Sequence, residues 1–180
     1  VDRAAGPGWA LLPFTAGFVD PLHSTGIAHT LSGIERLGRL FERHGAAPPP
    51  SALQPYSEAV RRELRFVDDL VHLCYESLPS FRAWTASAMF YFAAATTYEQ
   101  ERAATDCAPD EPPAFLCADR SGLRRTVQRA HERSPDTGGE GSTDVEGYED
   151  FVEKAIEPFN HVGLFDPSVP NMYPHTAAPV

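Results

Sequence analysis

Apolar residues recur along this chain at two different spacings, and the change from one to the other comes early. Trp9 to Pro13 (WALLP) and Gly17-Phe18-Val19 are short apolar runs framed by the Gly6-Pro7-Gly8 turn and by Asp20-Pro21, which predicts one or two short strands. The period then becomes helical. Ile27, Leu31, Ile34, Gly38 and Phe41 follow at steps of four and three, while Glu35, Arg36, Arg39, Glu42 and Arg43 fall mostly off that stripe. Gly45 stands where such a helix would end, and Arg39, Arg43 and His44 suit the negative end of its dipole. Pro48-Pro49-Pro50 predicts a stiff link. Pro55 suits the first turn of a second helix, along which Tyr56, Val60, Leu64, Val67, Val71, Cys74 and Leu78 follow at steps of 4, 4, 3, 4, 3 and 4.

A third helix is predicted from about Ser80 to Ala103, with Phe81, Trp84, Ala88, Phe92 and Ala95 on one face and Met89, Phe90 and Tyr91 beside them. It is apolar almost all round. Arg82 and Glu99 nevertheless bound a window, interrupted by Thr85, Ser87, Thr96 and Thr97, that falls short of the roughly 20 apolar residues of a membrane span. A buried core helix is the expectation, and the aromatics between Trp84 and Phe92 are read as core before they are read as the lining of a tunnel. Further on, 105–113 is predicted as loop, 121–133 as helix and 134–143 as an exposed loop. Thr143 or Asp144 would cap a last helix running through Ile156, and the segment from Pro158 reads as an extended strap. The fold class is therefore mainly α, with one or two short strands at the amino terminus. No internal repeat is present.

Composition narrows the function. A chain of 180 residues, 42% hydrophobic, can bury a core, and its net charge of −10 argues against a phosphate backbone or an anionic membrane surface as partner. Cys74, Cys107 and Cys117 are odd in number and fit neither a disulfide framework nor zinc spacing, so free thiols and a cytoplasmic location are expected. No metal site is predicted. The sequence opens at Val1 with strand- and turn-like residues already under way, which is the pattern of a fragment of something longer.

One stretch carries chemistry. In GFVDPLHSTGIAHTLSGIERL, residues 17–37, the smallest and most hydrogen-bonding residues fall where the first long helix begins. A helix starting near Thr25 or Gly26 presents unpaired N–H groups backed by the positive end of the macrodipole, so an anion or an electron-rich ring edge is welcome there. Such a contribution is about 0.3–1 kcal/mol when exposed, enough to tune a ligand held elsewhere and too little to hold one alone. Ser24 or Thr25 as an ordinary N-cap, and Asp20 as the anchor of an Asx-Pro turn, account for the same residues without any ligand.

That stretch, with the preceding GPGWALLP, resembles the late flavin-contacting motif of the FAD-dependent halogenases of the tryptophan halogenase family. The closing PFNHVGLFDPSVPNMYPHT resembles the carboxyl-terminal region of bacterial members. The resemblance implies the helical carboxyl-terminal part of an α+β FAD-dependent monooxygenase fold, with 1–45 a remnant of the FAD-binding domain and 46–180 a helical substrate-side region. It implies FAD as cofactor, reduced by a separate flavin reductase, and FADH2- and O2-dependent halogenation of an organic, aromatic substrate by a halide. Asp20, Pro21, Leu22, Gly26 and Ile27 would lie on the flavin, and Ser24, Thr25 and Gly26 would hold the halide. His23 occupies the position where tryptophan halogenases carry a glutamate that assists halogenation. It is the candidate catalytic residue here, with a histidine simply packed in the turn as the alternative.

The family's glycine fingerprint, its lysine and its tryptophan-rich motif are absent from these 180 residues. The resemblance assigns them to an amino-terminal FAD-binding domain, and implies that the fragment alone is inactive. A flavin-dependent hydroxylase or reductase on the same scaffold, or a helical interaction domain without catalysis, are the alternative readings. His29 is expected as a satisfied, partly buried histidine, His72 as a surface or core histidine without ligand neighbours, and Arg61, Arg62 and Arg65 as a solvated face.

Overall fold

The computed structural model describes residues 1–104, 112–133 and 145–169. The sequence readings for 105–111, for Cys107, for the 134–143 loop and its Thr143 or Asp144 cap, and for the chain beyond 169 lie outside the described residues.

The strand prediction is met only in part. Strands β1 (Ala5–Gly6) and β2 (Trp9–Ala10) pair antiparallel, with Ala5 opposite Ala10 and Gly6 opposite Trp9, and the turn between them places Gly8 at φ 76°. The rest of WALLP does not extend the strand. Pro13 instead opens a four-residue helix, α1 (Pro13–Ala16), because its fixed φ suits a first helical position and its missing N–H costs nothing there. Gly17 to Val19 is irregular.

Among the described residues five longer helices follow: α2 (Thr25–His44), α3 (Pro50–Glu76), α4 (Phe81–Ala104), α5 (Ser121–Arg133) and α6 (Val145–Ile156). Their number and order agree with the periodicity, and none is long and apolar enough to cross a membrane. The start of α3 differs from the reading. Pro50 takes the first helical position, and Pro55 lies inside the helix, close enough to its start to remove a single early hydrogen bond. Leu78 lies beyond the end of α3 and is exposed.

Helix α4 forms the centre. It packs against α3 and α6 and buries Ala83, Ala86, Phe90, Ala93, Ala94 and Tyr98 completely or nearly so. The buried positions differ from the predicted face, for Phe81 is 78% exposed and Trp84, Phe92 and Ala95 are only half-buried. A helix apolar on every side offers no periodic signal to choose between faces. Ser77, Ser87 and Tyr148 form a buried hydroxyl chain at 2.7 Å per link, joining the end of α3 to α4 and α6. Past α6, residues 160–169 form turns rather than an extended strap. The Asn160 side chain accepts from the Leu164 amide at 2.7 Å and donates to its carbonyl at 2.8 Å, which closes the chain on itself.

The larger departure concerns α2. Its apolar stripe faces outward: Ile27 is 79% exposed, Leu31 60%, Ile34 48% and Phe41 47%. The face turned inward carries Thr25, His29, Ser32, Gly33, Arg36 and Leu37. Two features hold it that way. Gly33 sits against Pro13 so closely that a Cβ there would meet the proline ring at 2.3 Å, so α1 and α2 can approach only through a glycine. The second is the carboxylate of Glu63 on α3, which is fully buried. It accepts two hydrogen bonds from Arg36, at 2.7 and 2.6 Å, one from the Phe115 amide at 2.8 Å and one from His29 Nε2 at 3.0 Å. Burial alone would push the Glu63 carboxyl up; the His29 and Arg36 hydrogen bonds outweigh it and hold the group below its usual range. Arg36 also donates to the Pro113 carbonyl at 3.1 Å, and the His29 ring stacks on Phe115 at 4.6 Å. The expectation for His29 as a satisfied histidine agrees with this placement.

Candidate functional site

The stretch from Asp20 to Ile27 folds as two short devices in series. Asp20 caps a single 3-10 turn, Pro21–His23, with its carboxylate accepting from the Leu22 amide at 2.9 Å, so the Asx-Pro reading of Asp20 agrees with the geometry. Ser24 then takes a left-handed conformation, φ 52° and ψ 30°, and α2 begins at Thr25. An N-cap residue normally sits in the extended region and turns its hydroxyl back onto the first turn. Ser24 does neither: it is exposed and its side chain makes no capping bond. The amides of Thr25, Gly26 and Ile27 have no hydrogen-bond partner among the described residues. A helix start therefore stands with its donors open, which an ordinary cap would have closed.

Apart from Ser24, the large exposed side chains of this stretch are apolar. Phe18, Leu22 and Ile27 are 66%, 37% and 79% exposed, and Phe14 packs edge-on against Phe18 with ring centroids 5.3 Å apart. Pro21 is exposed beside them. Gly26 has a local reason to be glycine, because a Cβ there would meet the Phe14 ring at 2.8 Å. The small residue that the sequence assigns to ligand approach thus also admits Phe14. Thr25 is 8% exposed and belongs to the interior. Of the predicted site residues, Pro21, Leu22, Ser24 and Ile27 are exposed and Asp20 and Gly26 half-buried, while Thr25 supplies its backbone from a buried side chain.

His23 turns the other way. Its ring stacks on Tyr91 of α4, centroids 4.2 Å apart and nearly parallel, and its Nε2 lies 3.6 Å from the thiol of Cys74 on α3. The Tyr91 hydroxyl donates to the His23 carbonyl at 3.1 Å. Burial pushes the imidazole down to about 4, against a smaller upward pull from Asp20, and burial pushes the Cys74 thiol up to about 11. Both groups are neutral near pH 7. Histidine, thiol and phenol together pin the 21–23 turn onto α3 and α4. Sequence reasoning missed Cys74 and Tyr91 as partners of His23, and nothing in the spacing pointed to them, since they lie on separate helices. Glu63 was missed as well, although a signal existed: it falls between Val60 and Val67 on the buried side of α3, where a carboxylate needs a partner.

Two other sequence readings change. His72 is exposed yet not without neighbours, for it pairs with Glu76 one turn on at 3.1 Å and meets the edge of His131 at 5.5 Å. Arg62 is not purely solvated. It lines a cavity of about 630 Å³ at the far end of α2, and its Nε is buried.

Flavin, the cofactor implied by the resemblance, fits this surface as one wall only. Open amides offer donors to ring heteroatoms or an anion, and the flanking phenylalanine, leucine and isoleucine offer an apolar rim. Compared with known proteins, residues 8–85 match the family model described as tryptophan halogenase, a span that contains all of GFVDPLHSTGIAHTLSGIERL. No curated protein and no solved structure matches the chain.

Proposed function

We propose, from the match of residues 8–85 to the tryptophan halogenase family model, that the chain is the carboxyl-terminal part of a flavin-dependent halogenase-like oxidoreductase. Asp20, Pro21, Leu22, Gly26 and Ile27 form its flavin-side wall, and Ser24 with the amides of Thr25 and Gly26 forms its halide-side wall. The observation that carries the reading is the row of three unpartnered amides at the start of α2, inside the matched span and rimmed by exposed apolar side chains. When bound, reduced FAD supplies the electrons with which oxygen is activated for oxidation of a halide. The residues of this chain supply fixed dipoles aimed at an anion, which need no reorganisation when charge develops beside them.

In this reading His23 is a positioning residue. Its neutral ring, held by Tyr91 and Cys74, sets the pitch of the turn that delivers Ser24 and Thr25. The outward stripe of α2 supports a docked amino-terminal FAD-binding domain, since exposed contiguous apolar surface marks an interaction face. A flavin reductase acting in trans, oxygen and a small aromatic substrate complete the proposal, and α3 to α6 form the substrate side.

The test uses the full-length protein with reduced FAD, oxygen, bromide and an electron-rich aromatic acceptor. A brominated product by mass spectrometry is expected. Gly26→Val should raise the bromide KM by about tenfold while far-ultraviolet circular dichroism stays unchanged. A hydroxylated product independent of bromide would replace the halogenase reading by a hydroxylase one, and parallel loss of activity and helicity in Gly26→Val would return Gly26 to a packing role.

A further inference from the structure

Helix α2 carries three glycines, and two of them have a reason inside the chain. Gly26 admits the Phe14 ring and Gly33 admits Pro13, whereas a Cβ on Gly38 would meet none of the described residues within 4 Å. A glycine in a helix interior weakens the helix relative to alanine, so the gap at Gly38 calls for a reason outside the chain. Gly38 also falls within the outward stripe. Ile27, Leu31, Ile34, Gly38 and Phe41 follow at steps of 4, 3, 4 and 3, the spacing of a seam between two packed helices, and all five are exposed. Glu63 holds the opposite face of α2 inward, so the seam cannot turn into its own core. A helix laid on it meets four large side chains and one gap.

This seam is complementary to itself. Set antiparallel on a second α2 about a two-fold axis at Ile34, it places Ile34 on the partner's Ile34, Leu31 over the gap at the partner's Gly38, and Phe41 beside the partner's Ile27. A two-fold interface requires this reciprocity, since each contact is made twice. The same arrangement brings Glu42, exposed near the carboxyl end of α2, to the partner's Gly26. There the amides of Thr25, Gly26 and Ile27 stand without a hydrogen-bond partner among the described residues, and a carboxylate is favoured at such a helix start. A carboxylate near one end and open amides at the other meet only when the two helices run antiparallel. We propose that α2 is the interface of an antiparallel homodimer, in which Leu31 fills the space at the partner's Gly38 and Glu42 caps the partner's open amides. The pair covers both the face on which an amino-terminal domain would dock and the amides that would meet a halide. It is a self-capped state that competes with that docking, and it stands on α2 alone, whatever chemistry the site performs.

Sedimentation equilibrium of the 180-residue chain between about 1 and 500 µM tests it, with a monomer–dimer equilibrium expected. Gly38→Leu separates a fitted seam from a merely apolar one, because it adds apolar surface and helix propensity but fills the gap. It should weaken pairing at least about tenfold while circular dichroism shows helicity kept or raised. Glu42→Gln should weaken pairing about threefold to thirtyfold, the axis using the contact twice, whereas Glu153→Gln, exposed on α6, should leave it unchanged. Oxidation with diamide reads the register in a Cys107→Ser background, since Cys74 and Cys117 are buried. Ile34→Cys, on the axis, should give a disulfide-linked dimer, and Ile27→Cys, roughly 21 Å from its own copy along the helix axes, should not. A monomer up to about 500 µM would overturn the proposal and leave the stripe to another occupant. Tighter pairing in Gly38→Leu, equal losses in Glu42→Gln and Glu153→Gln, or cross-linking of Ile27→Cys as readily as Ile34→Cys would each overturn it as well.

Discussion

Helices α2 and α4 are similar in length, 20 and 24 residues, and opposite in what they bury. The first turns its polar face inward, with His29, Ser32 and Arg36 at 4%, 3% and 9% exposure, and leaves Ile27 and Leu31 outside. The second is apolar on every side and closes around Phe90, which is fully buried. An apolar stripe identifies residues that share a face, but a single buried carboxylate on a neighbour can decide that the opposite face goes in. Glu63 does so for α2, because four donors converge on it and three of them come from Arg36 and His29. Among the described residues no buried charge acts on α4, where apolar burial dominates and the buried polar links are neutral hydroxyls such as Ser87.

The contrast can be broken most forcefully at its apolar end. Phe90→Ala should cost about 3–5 kcal/mol in urea unfolding, the range for an aromatic removed from a packed core. At the polar end, Glu63→Gln should cost about 3 kcal/mol, because it leaves the Arg36 guanidinium buried without its counter-charge. A cost below about 1 kcal/mol would mean that α2 is oriented by something other than this cluster.

Acid should separate the two regions further. The folded His23 titrates near 4, below its ordinary 6.5, so between those values the unfolded chain takes up a proton that the folded chain refuses. Stability is therefore expected to be level above about pH 6.5 and to fall as the pH drops towards 4. Glu63, also depressed, adds a loss in the same direction as pH falls below its ordinary 4.5. The Ser87–Tyr148 contact under α4 carries no charge. Hydrogen exchange at pH 7 and pH 5 should show the 21–25 turn and the start of α2 opening first while α4 stays protected, and His23→Asn should flatten the slope between pH 6.5 and 5. The smallest effect belongs to the outward stripe: Leu31→Gln should shift unfolding by no more than about 0.5 kcal/mol, while reducing any self-association seen by sedimentation. A loss as large as that of Phe90→Ala would mean that the stripe is covered, and the comparison would fall.

Much of the fold was legible from residue spacing. The bounds of α4 and α5 were read to within a residue at each end, and α3 kept Tyr56, Val60, Val67, Val71 and Cys74 on its buried side. The one or two short amino-terminal strands agree in number with β1 and β2 but not in full position, because the end of WALLP has the composition of a strand while Pro13 has the geometry of a helix start. In the candidate site, the segment and its turn at Asp20 were legible. The open cap at Ser24, the Phe14 ring against Gly26 and the inward turn of His23 were not, since each depends on backbone angles or on side chains distant in sequence.

Periodicity, prolines and glycines determined by themselves the existence and approximate extent of the longer helices, because those preferences act within a few residues of chain. They also set the order of elements and placed the small, polar residues at the head of α2. Tertiary structure alone decided which way α2 faces, where His23 points and that Arg62 lines a cavity. Those outcomes depend on which partner completes a buried charge or fills a gap, and the partner comes from another helix. Glu63 lies 27 residues from Arg36 and 34 from His29, a separation across which no local pattern can carry the direction of a side chain.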